Sequence, residues 1–182
     1  MEKRKALDQF LLSVQKRAFH MAKIAIGNDD DALDVVQDTM IKLVQKYSDK
    51  NEDEWKPLFY RILQSRIYDF HRKHTVKKKI FSWFSLSKND EGENEGEDPM
   101  QAVPDAREVT PEKRMQLSQT TDHLIYAVSQ LPLRQQQAFL MRMWEGMSTA
   151  QTANAMGVTE GSVKTHYSRA LLALRNQLEG HW

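Results

Sequence analysis

The chain has 182 residues, enough for one ordinary domain or two small ones. It has no cysteine, which excludes disulfides and thiolate metal sites, and seven glycines and five prolines are few for its length. The net charge of +1 excludes nothing alone, but the charge lies in blocks: residues 28–54 hold nine acids against three bases, 56–79 eight bases against one acid, and 80–122 ten acids against four bases.

Leu, Ala, Lys, Gln, Arg and Met dominate the periodic stretches, so the expected fold class is all-α, in two small helical domains joined by a flexible acidic linker. The basic amino terminus runs into Asp8, Gln9, Lys16 and Arg17 rather than an apolar stretch, which is not a signal peptide. No run approaches the roughly 18 uninterrupted apolar residues of a membrane span. A cytoplasmic protein without membrane insertion is expected.

In chain order, Leu7, Leu11, Val14, Ala18, Met21 and Ala25 recur at spacings of three and four, predicting a helix over 5–26 that Gly27 ends. Asp29, Asp30 and Asp31 are expected as N-caps and dipole partners of a second helix reaching about Tyr47. A third helix is predicted from Trp55 or Pro57 to His74. It interleaves aromatics with cations, from Tyr60 and Arg61 to Phe70 and Arg72. Cations follow a phosphate backbone and aromatic faces stack on unpaired bases, although Leu58, Ile62 and Phe70 also fit a core.

Residues 77–108, rich in Glu, Asp, Asn, Gly and Pro towards their end, read as the linker, with Phe81, Trp83 and Phe84 unassigned. Thr110-Pro111-Glu112 is a helix start, for a helix reaching about Gln130. Further helices are predicted over 132–145, 148–156 and 159–178, with Gly146 and Gly157 as stops. The last two make a helix-turn-helix through Gly157 and Val158, with Ala150, Ala153 and Ala155 permitting close approach. Val163, Ala170, Leu174 and Leu178 form the inward stripe of the second helix; Ser162, Thr165, Ser168 and Arg169 form the outward one. Hydroxyls and Arg169 suit base edges in a major groove, and Lys164 and His166 suit phosphates.

Asp34 and Asp38 lie one turn apart, with Gln37 between. A magnesium cage is the poorer reading of these acids, because no further ligand converges on them; a docking face for a basic partner is the better one. His71 and His74 have metal-like spacing, but the surrounding cations oppose a metal. No nucleophile elbow, glycine-rich phosphate loop or HExxH is present, so no catalytic residue, metal site or cofactor is assigned and the chain is read as a non-enzyme.

Three groups of motifs, taken together and in this order, resemble the extracytoplasmic-function sigma factors: Asp31-Ala-Leu-Asp34-Val-Val-Gln37-Asp38; Phe59-Tyr60-Arg61-Ile62 with Asp69-Phe70-His-Arg72; and Leu131-Pro-Leu-Arg-Gln135 with Gly161-Ser-Val-Lys-Thr165 and Ser168-Arg169-Ala170. The resemblance implies a region two at 1–76 and a region four at 109–182. It implies that Asp34, Gln37 and Asp38 dock on the clamp helices of the largest subunit of core RNA polymerase, with the beta flap as a further contact. Tyr60, Arg61, Asp69 and the segment 48–55 would hold the melted minus-ten element. Ser162, Lys164, Thr165, His166, Ser168 and Arg169 would meet the minus-thirty-five element as duplex promoter DNA. An anti-sigma factor is the implied regulatory partner, and the linker resembles the segment that runs near the RNA exit path. Ser65, where many relatives have Asn, Leu58, where many have Trp, and Gln151-Thr-Ala-Asn154, where acids are usual, depart from the pattern.

Two other readings are weighed. A LuxR-like helix-turn-helix regulator fits Val163-Lys-Thr-His166, and a metal-dependent nuclease would use the acidic helix.

Overall fold

The computed structural model describes residues 2–85 and 121–179, the side chains of 79–85 excepted. Its helices are α1 (Glu2–Ile26), α2 (Asp29–Tyr47), α3 (Glu52–Ser85), α4 (Thr121–Ser129), α5 (Leu133–Phe139), which continues into a π turn (Leu140–Trp144), α6 (Thr149–Met156) and α7 (Glu160–Leu178). Among the described residues every regular element is helical, as the composition predicts. No described helix is long and apolar enough to cross a membrane.

The first three helices pack on one another through the periodic faces read from the sequence. Leu7, Leu11, Val14, Ala18, Met21 and Ala25 of α1 are all buried, against Ala32, Val36 and Leu43 of α2 and Trp55, Phe59, Leu63 and Ile67 of α3. Gly27, at φ 75°, makes the left-handed turn out of α1. The cap of α2 is Asn28 rather than an aspartate: its side-chain oxygen accepts from the Asp31 amide at 3.1 Å, and Asp29, Asp30 and Asp31 occupy the first turn. Their carboxylates still complement the helix dipole.

Helix α3 is longer at both ends than the sequence suggests. Glu54 accepts from the Asn51 amide at 3.1 Å, which starts the helix before Trp55, and Pro57 stands inside it. The helix also continues past His74 to Ser85, so the first residues of the expected linker are helical. Lys77, Lys78 and Lys79 have good helix propensity and no breaker follows them. The linker from residue 86 and the helix start at Thr110 lie outside the described residues, as do the side chains of Phe81, Trp83 and Phe84.

The carboxy-terminal helices follow the predicted punctuation closely. Ser148 and Gln151 form a reciprocal capping box at the start of α6, Thr159 accepts from the Ser162 amide at 3.1 Å to cap α7, and Gly157 closes α6 at φ 66°, ψ 35°. Ala153 and Ala155 are buried where α6 meets its neighbours; Ala150 is exposed and takes no part. Val163, Ala170 and Leu174 of α7 are buried and Leu178 partly so. The segment predicted as one helix over 132–145 is instead α5 plus the π turn, with the Glu145 amide donating five residues back to the Leu140 carbonyl at 3.1 Å.

The two helical groups pack against each other, chiefly α3 on α6, with α1 touching α4 and α5.

An added Cβ at Gly157 would meet nothing within 4 Å. The cost of Gly157→Ala is therefore conformational only, about 1–2 kcal/mol of stability in a chemical melt. Gly157→Asn, which tolerates the left-handed region better, should lose less; equal losses for the two variants would place the cost elsewhere.

Candidate nucleic-acid interface

The outward face of α7 is built as a helix-turn-helix reader requires. The αL turn at Gly157 and the Thr159 cap fix the angle at which α7 leaves the turn, and its apolar stripe pins it to the core. Lys164, Thr165, Ser168 and Arg169 consequently stand exposed along one side. The Thr165 hydroxyl donates to the Gly161 carbonyl at 3.1 Å, which leaves its lone pairs outward. Ser162 is half-buried, its hydroxyl 2.9 Å from that of Thr159, so it belongs to the cap as much as to the exposed face. His166 is also half-buried; burial, then the positive charges of Arg134 and Arg169, hold its imidazole below its ordinary range.

The residues predicted on α3 divide. Arg61 is exposed and Asp69 half-exposed, the latter paired with Arg72 at 2.9 Å. Tyr60 is fully buried, and burial followed by the nearby Glu145 carboxylate raises its phenol well above the ordinary range. In this arrangement Tyr60 faces the second helical group, not solvent. Tyr68 is covered too: Arg134 lies over its ring at 5.7 Å, and burial pushes its hydroxyl up to about 12 against the opposing charge of Arg134. Trp55, at the end of the expected loop contact, is a core residue whose indole donates to the Tyr47 carbonyl at 3.2 Å. Arg61, Ser65 and Asp69 line an open cleft whose other wall is Asn154, Met156 and Gly157 of the helix-turn-helix.

On α2, Asp34, Gln37 and Asp38 are exposed side by side. Leu33, Ile41 and Val44 lie exposed on the same side of the helix. The sequence reading passed over these apolar side chains, although their spacing of eight and three residues was there to be seen. An exposed strip mixing acids with large apolar groups suits a partner surface better than a metal.

His71 serves packing: its Nε2–H donates to the Ala25 carbonyl at 2.9 Å, joining α3 to the end of α1, and burial lowers its pKa from the ordinary 6.5. The ring of His74 lies 4.2 Å from that of Phe70. Because both His71 and His166 titrate below their unfolded values, the unfolded chain binds more protons as the pH falls through 6.5, and stability is lost in that window. Urea melts at about pH 7.5 and about pH 5.5 should show this loss, and His71→Gln should remove part of it. A variant with the full wild-type pH slope would contradict the neutral, buried ring.

Comparison with known proteins agrees with this geometry. The family model for sigma-70 region 2 matches residues 9–76, and that for sigma-70 region 4 matches residues 122–174. An RNA polymerase sigma-E factor of Streptomyces antibioticus is 31% identical over 119 residues, which are 65% of this chain and 61% of that one. The RNA polymerase sigma factor SigV of Bacillus subtilis is 28% identical over 180 residues, 96% of this chain and 92% of the relative. The fold is similar to that of the sigma factor RpoE of Bartonella quintana, solved in complex with the anti-sigma factor NepR, with a TM-score of 0.66 at 21% identity over 96% of this chain and 98% of that one. A region 2 match over the first three helices leaves the LuxR-like reading without support. With two family models matched in order over most of its length, the chain belongs to the sigma-70 family, in the extracytoplasmic-function class of RNA polymerase sigma factors.

Proposed function

We propose that this sigma factor divides promoter recognition between its two helical groups. On this reading α7 reads the minus-thirty-five element in the major groove of duplex DNA, α3 holds unpaired bases of the minus-ten element, and the exposed side of α2 seats the chain on core RNA polymerase. The polymerase supplies all the chemistry, in the cytoplasm, and the sigma factor supplies the address.

The observation that carries the reading is the presence, in one chain, of two exposed faces of opposite character. The acid and apolar strip of α2 carries Asp34, Gln37 and Asp38 beside Leu33, Ile41 and Val44, and suits the clamp helices of the largest subunit. The hydroxyl and cation face of α7 suits a duplex: Arg169 is the group best fitted to a guanine edge, with Thr165 and Ser168 as adaptable partners and Lys164 on a phosphate. The family membership argues for the beta flap as the seat of the second group. An anti-sigma factor is the regulatory partner in this proposal, as the RpoE structure contains one.

Two substitutions test the division. Arg169→Ala should weaken binding to duplex minus-thirty-five DNA by about 1–3 kcal/mol in a fluorescence titration; unchanged affinity would remove Arg169 from the reading face. Asp38→Arg should abolish competition for core polymerase while the variant still binds duplex DNA, and normal holoenzyme assembly would refute the role of α2.

A further inference from the structure

We propose that Tyr167 is a positioning residue for minus-thirty-five recognition, its ring held by Phe139 and Arg142 so that α7 cannot roll about its own axis. The inference rests on the reading of α7 as the duplex reader, and adds to it a residue that meets no base.

Helix geometry says why such a residue is needed. At about 100° per residue, the buried Val163, Ala170 and Leu174 of α7 fall within about 40° of one another, along one narrow line. A helix seated on a single line, two of whose three side chains are short, has little leverage against rotation about its axis. Rotation matters to a reader: at a radius of about 5–6 Å, a roll of about 20° displaces every outward group by about 2 Å. That exceeds the tolerance of a hydrogen bond, whose heavy atoms lie about 2.7–3.2 Å apart.

Tyr167 stands about 40° to one side of the buried line, between it and the exposed Lys164 and Ser168. Its half-buried ring is stacked with that of Phe139, at 6.5 Å and 20°, and the Arg142 guanidinium lies over it at 5.9 Å. Phe139 ends α5 and Arg142 lies in the π turn that follows, so both partners come from one continuous rod. Stacking and cation–π contact depend on the plane of the ring, and so set direction as well as distance. An aliphatic side chain here would fill the space without setting an angle.

Arg142 is itself held in place. Its guanidinium donates to the main-chain carbonyl of Met147, one residue before the Ser148 cap of α6. The same group therefore bears on the chain entering α6 and on the ring of α7. The Gly157 turn joins these two helices at one point, and the Arg142–Tyr167 contact joins them at another. One point allows a swing; two define an angle. All four residues belong to the second helical group, so the arrangement is independent of how the two groups pack.

The test uses core polymerase reconstituted with the full chain, on a pool of promoters that vary the minus-thirty-five element one base at a time. Wild type should lose about tenfold in initiation for each mismatched base. Tyr167→Leu, which keeps apolar bulk and good helix propensity, should compress that loss to about threefold at every position of the element. Removal of a reader, as in Arg169→Ala, should instead relax a single position. Tyr167→Phe retains the ring and should match wild type. The salt dependence of promoter binding should be the same in Tyr167→Leu as in wild type, because no phosphate contact is lost. Should Tyr167→Leu fail to assemble with the polymerase, Phe139→Leu removes the same stack from the other side and carries the same expectation.

Wild-type discrimination in Tyr167→Leu would overturn the inference and leave the duplex reading intact. Relaxation confined to one base position, a weaker salt dependence, or a Tyr167→Phe variant as permissive as Tyr167→Leu would overturn it as well, since each marks a direct contact with DNA. A wild-type holoenzyme indifferent to the minus-thirty-five sequence would sink the reading of α7 itself, and the inference with it.

Discussion

A carboxylate cannot be buried alone, and the packing of this molecule's two halves turns on that constraint. Glu145 is withdrawn from water at the end of a helix, and among the described residues the cations that pair with it, Arg17 and Lys56, come from the opposite half. Beside that point run an amide chain through Gln64, Gln137 and Gln136 and the stacked pair His20 and Trp144. Each half, by contrast, is held by large apolar side chains: Leu43, Trp55, Phe59 and Leu63 in one, Leu131, Leu140, Met141 and Met147 in the other.

This division fits a protein whose work is carried out on the surface of another. The acid and apolar strip of α2 and the cationic face of α7 are held on rigid helices, by caps and turns that leave little freedom in their direction. Two rigid faces of different chemistry suit the proposed division between duplex and unpaired DNA, which differ in shape and in the groups they present.

Much of this was legible in the sequence because the signals are local. The inward face of α1, the glycine stops at 27 and 157, the serine and threonine caps of α6 and α7, and the exposed row of Lys164, Thr165, Ser168 and Arg169 all follow from spacings within one or two turns. Three misjudgements were local competitions decided narrowly: Asn28 caps α2 in place of its neighbouring aspartates, Asn51 and Glu54 start α3 ahead of Pro57, and the lysines after His74 carry α3 onwards. The burial of Tyr60 is of another kind. Its periodicity is compatible with a core or an exposed position, and the partners that cover it stand more than 70 residues away, as the separations of 73 for Gln64 with Gln137 and 89 for Lys56 with Glu145 show. No pattern within α3 encodes that contact.

The widened turn at Leu140–Trp144 holds one residue more than regular helical winding would take up over the same rotation. The extra residue is absorbed within the turn, so Glu145 and the helix-turn-helix beyond it keep nearly the heading that unbroken winding would give them. Loss of one residue here, with return to ordinary pitch, would therefore leave the later helices pointing almost as they do now.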